Sequence, residues 1–253
     1  MRLKVIMEAG EKIKLPIHHN HMIQATLYSL IQQYALRHFL HNSGFRYGKR
    51  SFKLFTFSRI ESSFYISKDK EEILFQSPIA LTFCSPFKML VEEIANGLLG
   101  SREIKLGDQV LSVSKVLISD PRVLEGHLVA RMLSPLVVYS TLHDKEKGSF
   151  TYYYSPLESR FSELVRNNLI KKFRIVYGDN PECHEFDISP FKLAKNDFKI
   201  LFFKKTIVKG WMGTFELRGD PLLLELGLHA GLGSKNSEGF GCCIEEMEDK
   251  KCF

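Results

Sequence analysis

His41 is the side chain best placed for chemistry. It ends a helical region just before Gly44, and Arg46, Lys49, Arg50 and Lys53 follow within twelve positions. An anion drawn to these cations would lie beside an imidazole whose pKa suits proton transfer near neutrality. A histidine at a helix C-terminus is also favourable to the helix dipole, so its position alone does not choose between the roles. Tyr28 lies at the edge of an apolar helix face, where the simplest reading is core packing.

The second stretch with chemical potential is Gly231-Leu232-Gly233-Ser234-Lys235-Asn236-Ser237-Glu238-Gly239-Phe240-Gly241. Glycine tolerates positive φ and close backbone approach, and such loops can turn several N–H groups toward one anion. The spacing is not that of a dinucleotide fingerprint, because Asn236 stands where a third glycine is needed. No Gly-Lys-Ser/Thr closes a Walker loop, and Gly48-Lys49 is followed by Arg50. His18, His19 and His21 crowd together but lack carboxylate or cysteine partners at ligand spacing, so no metal is expected. Five cysteines without a Cys-x-x-Cys pair argue against disulfide and zinc frameworks and fit a reducing cytoplasm.

The elements that must hold these residues are legible in outline. The 253 residues, 44% hydrophobic, can form one large domain or two smaller ones. A formal charge of +6 favours a polyanionic partner. No apolar run reaches the roughly 18 residues that span a bilayer. Leu3, Val5 and Met7 alternate as on a strand. Ile23, Leu27, Leu30, Ile31 and Tyr34 make one helix face, with Asn20 as N-cap. Phe52–Ser58 alternates as a strand, and strands follow around 64–66, 73–75 and 80–83. Ser85-Pro86 opens a helix facing inward through Phe87, Leu90, Val91, Ile94 and Leu98.

After Asp120-Pro121 the order repeats. Strands are expected at 128–132 and 136–139. A capping box, Ser155-Pro156-Leu157-Glu158, opens a helix facing inward through Leu157, Phe161, Leu164, Val165, Asn168 and Leu169. Strands are expected around 173–177, 185–188, 200–203 and 206–208. Asp220-Pro221 caps a short helix, and a strand over 242–247 closes the chain. Each half reads βαββαβ, so the expected fold is α+β with two tandem ferredoxin-like, RRM-like domains, residues 1–119 and 120–253.

The glycine loop, Leu15-Pro16, Leu27-Tyr28, Phe39-Leu40-His41 and Phe52-Lys53-Leu54-Phe55-Thr56-Phe57-Ser58 together resemble the CRISPR-associated repeat-processing endoribonucleases, the sixth Cas family. The resemblance implies tandem ferredoxin-like domains that bind CRISPR repeat RNA and cut the precursor once per repeat. It implies metal-independent attack of a ribose 2′-OH on the adjacent phosphate, giving 2′,3′-cyclic phosphate and 5′-OH ends with no cofactor. Tyr28, His41 and Lys53 match the family's Tyr/His/Lys set. Arg46, Lys49, Arg50, Gly231, Gly233, Ser234, Lys235, Asn236, Ser237, Gly239 and Gly241 are the corresponding RNA-binding candidates. CRISPR effector-complex subunits are a second partner class, and the oligomeric state stays open between monomer and homodimer. The alternative is a non-catalytic RNA-binding or assembly subunit on the same scaffold, which would not need His41 with Lys53.

One geometric condition accompanies the triad. A straight helix would separate Tyr28 from His41 by about 20 Å at 1.5 Å per residue. A break is therefore expected near Gln32–Ala35, where no proline or glycine marks it and only the apolar phase shifts.

Overall fold

The computed structural model describes residues 1–246 apart from 70, 102, 145–147 and 183. The alternation at the N-terminus builds the middle strand of a five-stranded antiparallel sheet. Leu3, Val5 and Met7 of Arg2–Glu8 point inward at 1%, 3% and 2% exposure. The sheet runs Thr56–Phe57, Ile79–Cys84, Arg2–Glu8, Gln109–Ser119, Glu103–Leu106. Helices α1 (Asn20–Leu30), α2 (Tyr34–His38) and α3 (Lys88–Ser101) belong to this half. Ile23 and Leu27 of α1 and Leu90, Val91 and Ile94 of α3 share one apolar core with the sheet.

The second half carries a four-stranded antiparallel sheet, ordered Phe186–Lys192, Thr214–Gly219, His127–Met132, Cys243–Glu245. Helices α4 (Arg160–Tyr177) and α5 (Pro221–Ala230) pack on it around Phe161, Val165, Leu169, Leu224 and Leu228. In the second half the first strand lies between the third and the fourth, and the second strand is outermost beside the third; the first half has the same order with Gln109–Ser119 in the fourth strand's place and Glu103–Leu106 added beyond it as an edge strand. This is the ferredoxin-like arrangement, reached twice. Among the described residues no helix is long and apolar enough to cross a membrane.

Several local expectations need correction. Phe173–Tyr177 is not a strand but the last turns of α4, because Phe161, Val165, Leu169 and Phe173 continue one buried stripe. The aromatic and β-branched composition of that end is overridden by packing. Phe52–Ser58 is not one strand. Arg50–Phe52 closes a hairpin on Phe45–Tyr47, the chain kinks at Leu54 with φ 53°, and Thr56–Phe57 joins the main sheet. Leu136 makes only an isolated bridge to Trp211, and the next strand begins at Tyr139. Tyr34 and Leu157 are exposed at 69% and 79% rather than facing the core. Half of the capping box forms, with Glu158 Oε1 accepting from the Ser155 N–H at 2.5 Å, but the Ser155 hydroxyl accepts from the Leu157 N–H rather than that of Glu158, and the helix itself starts at Arg160. Asn20 does not cap α1; its side chain is used elsewhere, as described below. Of the cysteines, 183 and 252 lie outside the described residues, as does the end of the final strand at 247.

Candidate active site

The break between α1 and α2 decides whether Tyr28 and His41 can act together. Helix α1 ends at Leu30, and Ile31 and Gln33 are extended, with ψ 108° and 106°. Glu93 on α3 supplies the cause. Its Oε2 accepts from the backbone N–H groups of Gln32 and Gln33 at 3.1 and 3.3 Å. A carboxylate placed on free N–H groups before α2 stabilises a helix start. Gly97, also on α3, lets the end of α1 approach closely, since a Cβ there would overlap the Leu30 carbonyl.

Beyond α2 the chain makes a wide turn over Phe39–Ser43, closed by the Gly44 N–H on the Phe39 carbonyl at 2.7 Å. This turn carries His41 back to α1. The Tyr28 and His41 rings meet edge to face, with centroids 5.4 Å apart and planes at 72°. The Tyr28 hydroxyl donates to the Leu40 carbonyl at 3.4 Å, and burial pushes its pKa up to about 12. His41 is exposed, and its Nδ1 lies 2.8 Å from Asn42 Oδ1.

Lys53 comes from the other side of the turn. Its Nζ donates to the His41 carbonyl at 3.2 Å, so lysine and histidine are tied through the backbone. Burial lowers the Lys53 pKa. Gly44 makes this contact possible. Its φ is +65°, and a Cβ there would lie 2.6 Å from the Phe52 carbonyl oxygen and 2.8 Å from Lys53 Cδ. The three triad candidates are therefore brought together by α1, the wide turn and the segment after the Arg50–Phe52 strand.

Beside them opens a cleft of ≈ 780 Å³ between the two halves, lined by Lys53, the basic hairpin and the glycine loop. Arg46, Lys49 and Arg50 line it and are exposed; among the described residues they form no ion pair. Ser234, Lys235, Asn236 and Ser237 line the facing wall. Lys235 is not a free cation: its Nζ sits 3.0 Å from Glu238 Oε2.

The four glycines do not line the cleft; they are buried and shape the loop. All have positive φ: 78° at Gly231, 64° at Gly233, 86° at Gly239 and 73° at Gly241. A side chain on Gly239 would collide with the Phe57 ring of the other half and come within 2.7 Å of Asn20 Nδ2. The loop is also stitched to the first half. Asn20 Nδ2 donates to the Glu238 carbonyl at 3.0 Å, Gln24 Nε2 to the Ser237 carbonyl at 2.6 Å, and Thr56 Oγ1 to the Phe240 carbonyl at 2.9 Å.

Lys172 was not evident from the sequence. It lies on the inner stripe of α4, 1% exposed, where periodicity asks for an apolar residue. Its Nζ donates to the Gly231 and Gly233 carbonyls at 2.7 and 3.2 Å and to Asn236 Oδ1 at 2.7 Å. Burial drags its pKa down to about 7. Asn236 in turn donates Nδ2 to the Leu232 and Phe240 carbonyls at 2.9 and 3.0 Å. Its side chain thus braces the loop from within. A lysine at a core position was the available sequence signal. The clustered histidine rings take separate partners: His18 packs on Phe202, His19 on Phe75, and His21 Nδ1 lies 3.1 Å from the His18 carbonyl.

Residues 14–117 match the family model described as CRISPR-associated protein Cas6, N-terminal, and residues 119–244 match CRISPR associated protein Cas6, C-terminal. A CRISPR-associated endoribonuclease Cas6 1 from Methanocaldococcus jannaschii is 27% identical over 258 residues, covering 99% of this chain and 94% of its own. A CRISPR-associated endoribonuclease Cas6 from Pyrococcus furiosus is 27% identical over 243 residues, covering 90% and 82%. The solved structure of a Cas6-related gene product from Pyrococcus furiosus shares the fold with a TM-score of 0.83 at 22% identity, over 98% of this chain and 99% of that one. The chain belongs to the CRISPR-associated Cas6 family.

Proposed function

We propose that the protein is an endoribonuclease that binds CRISPR repeat RNA and cleaves the precursor within each repeat. The observation that carries this reading is the meeting of Tyr28 and His41 at 5.4 Å, with Lys53 Nζ on the His41 carbonyl, beside a basic cleft. Family membership and relatives named as endoribonucleases support the same reading.

The chemistry asks little more of the protein. The nucleophile is the substrate's own 2′-OH, so in-line placement replaces an activated side chain. One proton leaves the 2′-OH and one reaches the departing 5′-oxygen. His41 is the group suited to such transfer near neutral pH. Lys53 stabilises the negative charge that builds on the phosphorane. Tyr28, with its pKa raised to about 12, stays protonated and positions the ribose hydroxyl. The products are a 2′,3′-cyclic phosphate and a 5′-OH, and no metal or other cofactor takes part.

Arg46, Lys49 and Arg50 on one wall of the cleft and Lys235 on the other draw the RNA backbone. The N–H groups of Lys235 to Ser237 add neutral donors, while that of Ser234 is held by the Val137 carbonyl at 2.8 Å. The domain boundary proposed is between residues 119 and 120.

Incubation with the repeat RNA of the source locus in EDTA tests the reading. One cut per repeat supports it. Binding without cleavage would instead identify a non-catalytic RNA-binding subunit.

A further inference from the structure

We propose that Asn42 is a positioning residue that holds His41 in the tautomer protonated on Nδ1, making Nε2 the nitrogen that exchanges protons with RNA. This rests on the reading of His41 as the proton-transfer group.

The geometry is local and specific. Asn42 Oδ1 stands 2.8 Å from His41 Nδ1. An amide oxygen only accepts, so this contact requires a proton on Nδ1. In neutral imidazole the lone pair then belongs to Nε2. Among the described residues Nε2 has no hydrogen-bond partner, and His41 is exposed. The edge-on Tyr28 ring, at 5.4 Å, restricts the ring from the other side. Lys53 fixes the His41 backbone through its carbonyl at 3.2 Å. Backbone, ring plane and tautomer are thereby set by three different residues. Asn42 also lines the cleft beside Ser43 and Lys53, and the exposed ring it contacts belongs to the residue next to that lining.

The contact serves both directions of transfer. Neutral His41 can take the 2′-OH proton on Nε2, and imidazolium can deliver a proton from Nε2, while Nδ1–H stays on Asn42 throughout. A freely rotating exposed imidazole would present either nitrogen, in either tautomer.

The titratable groups facing His41 are Tyr28 from α1 and Lys53 from the segment beyond the hairpin. Neither carries negative charge near neutrality. Introducing a carboxylate at position 42 therefore adds the only anion in contact with the ring. It should raise the imidazole pKa by about one unit.

The test combines nitrogen-15 NMR of the imidazole with single-turnover cleavage. In the wild-type protein the His41 nitrogen shifts should report an Nδ1–H tautomer. Asn42→Ala should mix the tautomers and slow cleavage about 10-fold at saturating protein, with RNA affinity within about twofold. Asn42→Asp should keep the tautomer and move the His41 limb of the pH–rate profile upward by about one unit. An Nε2–H tautomer in the wild type, or an unchanged tautomer in Asn42→Ala, would overturn the proposal. If the wild-type protein bound repeat RNA without cutting it, the endoribonuclease reading would fall, while the NMR would still decide whether Asn42 sets the tautomer.

Discussion

The Tyr28 and His41 rings meet edge to face at 5.4 Å although thirteen positions separate them in the chain. Their meeting depends on a third residue that touches neither ring. Glu93 holds the N–H groups of Gln32 and Gln33 and so ends one helix and starts the next. Glu93→Ala is expected to cost about 1–3 kcal/mol by chemical denaturation. It should slow single-turnover cleavage more than it weakens RNA binding. Unchanged cleavage would show that the break does not depend on this carboxylate.

Gly44→Ala should separate binding from chemistry in the same direction. The added methyl meets the Phe52 carbonyl and the Lys53 stem in a backbone region with φ +65°. Lys53 and the His41 turn must then shift apart, and about 1 Å of misplacement can cost on the order of 10²-fold in rate. Gly239→Ala meets the Phe57 ring instead, so it should lower thermal stability and RNA affinity together. Equal effects of the two variants on cleavage by bound enzyme would argue against distinct roles.

Lys235 and Glu238 predict opposite effects on affinity. Lys235→Ala should weaken RNA binding and lower the salt slope by about 1, yet leave cleavage at saturation normal. Glu238→Gln removes the carboxylate that now holds Lys235 at 3.0 Å. It should tighten binding at low salt. Slower cleavage by fully bound Lys235→Ala would put the loop in the chemistry rather than in placement.

Acid should destabilise the fold through two buried histidines. Burial drags the pKa of His19 and of His229 down to about 4. The unfolded chain takes up these protons near pH 6.5, whereas the folded protein resists until about pH 4. The unfolded state therefore binds more protons in that window, and stability falls as pH drops from 6.5 toward 4. Each histidine should contribute on the order of 2 kcal/mol of loss by pH 4.5. His19→Gln, which keeps a donor for the Pro16 carbonyl, should flatten the fall in unfolding midpoint. An identical pH dependence in the variant would remove His19 as a cause.

Much of this organisation is written locally in the chain. Leu3, Val5 and Met7 show their strand by alternation, and Asp220-Pro221 shows its helix start, where Asp220 Oδ1 accepts the Leu222 N–H at 2.8 Å. What was not legible depends on partners far away in sequence. The break after Leu30 is made by Glu93, some sixty positions later. The kink at Leu54 arises because its side chain packs in the core of the second half while its carbonyl takes the Ser85 hydroxyl at 2.8 Å. The glycine loop was legible as a conformational feature. Its closest partners, Asn20, Gln24, Thr56 and Lys172, come from elements that periodicity treats as unrelated. The loop is thus a bracket between halves as much as a wall of the cleft.

The most direct measurement is end-group analysis of repeat RNA incubated with protein in EDTA, using substrates with and without a single 2′-deoxy substitution at the cut site. The all-ribose RNA should yield a 2′,3′-cyclic phosphate and a 5′-OH. The deoxy substrate should bind equally well and stay intact, and His41→Ala should bind the all-ribose RNA but cut it about 10²–10⁴-fold more slowly. Cleavage of the deoxy substrate, or undiminished cleavage by His41→Ala, would contradict a 2′-OH attack served by Tyr28, His41 and Lys53.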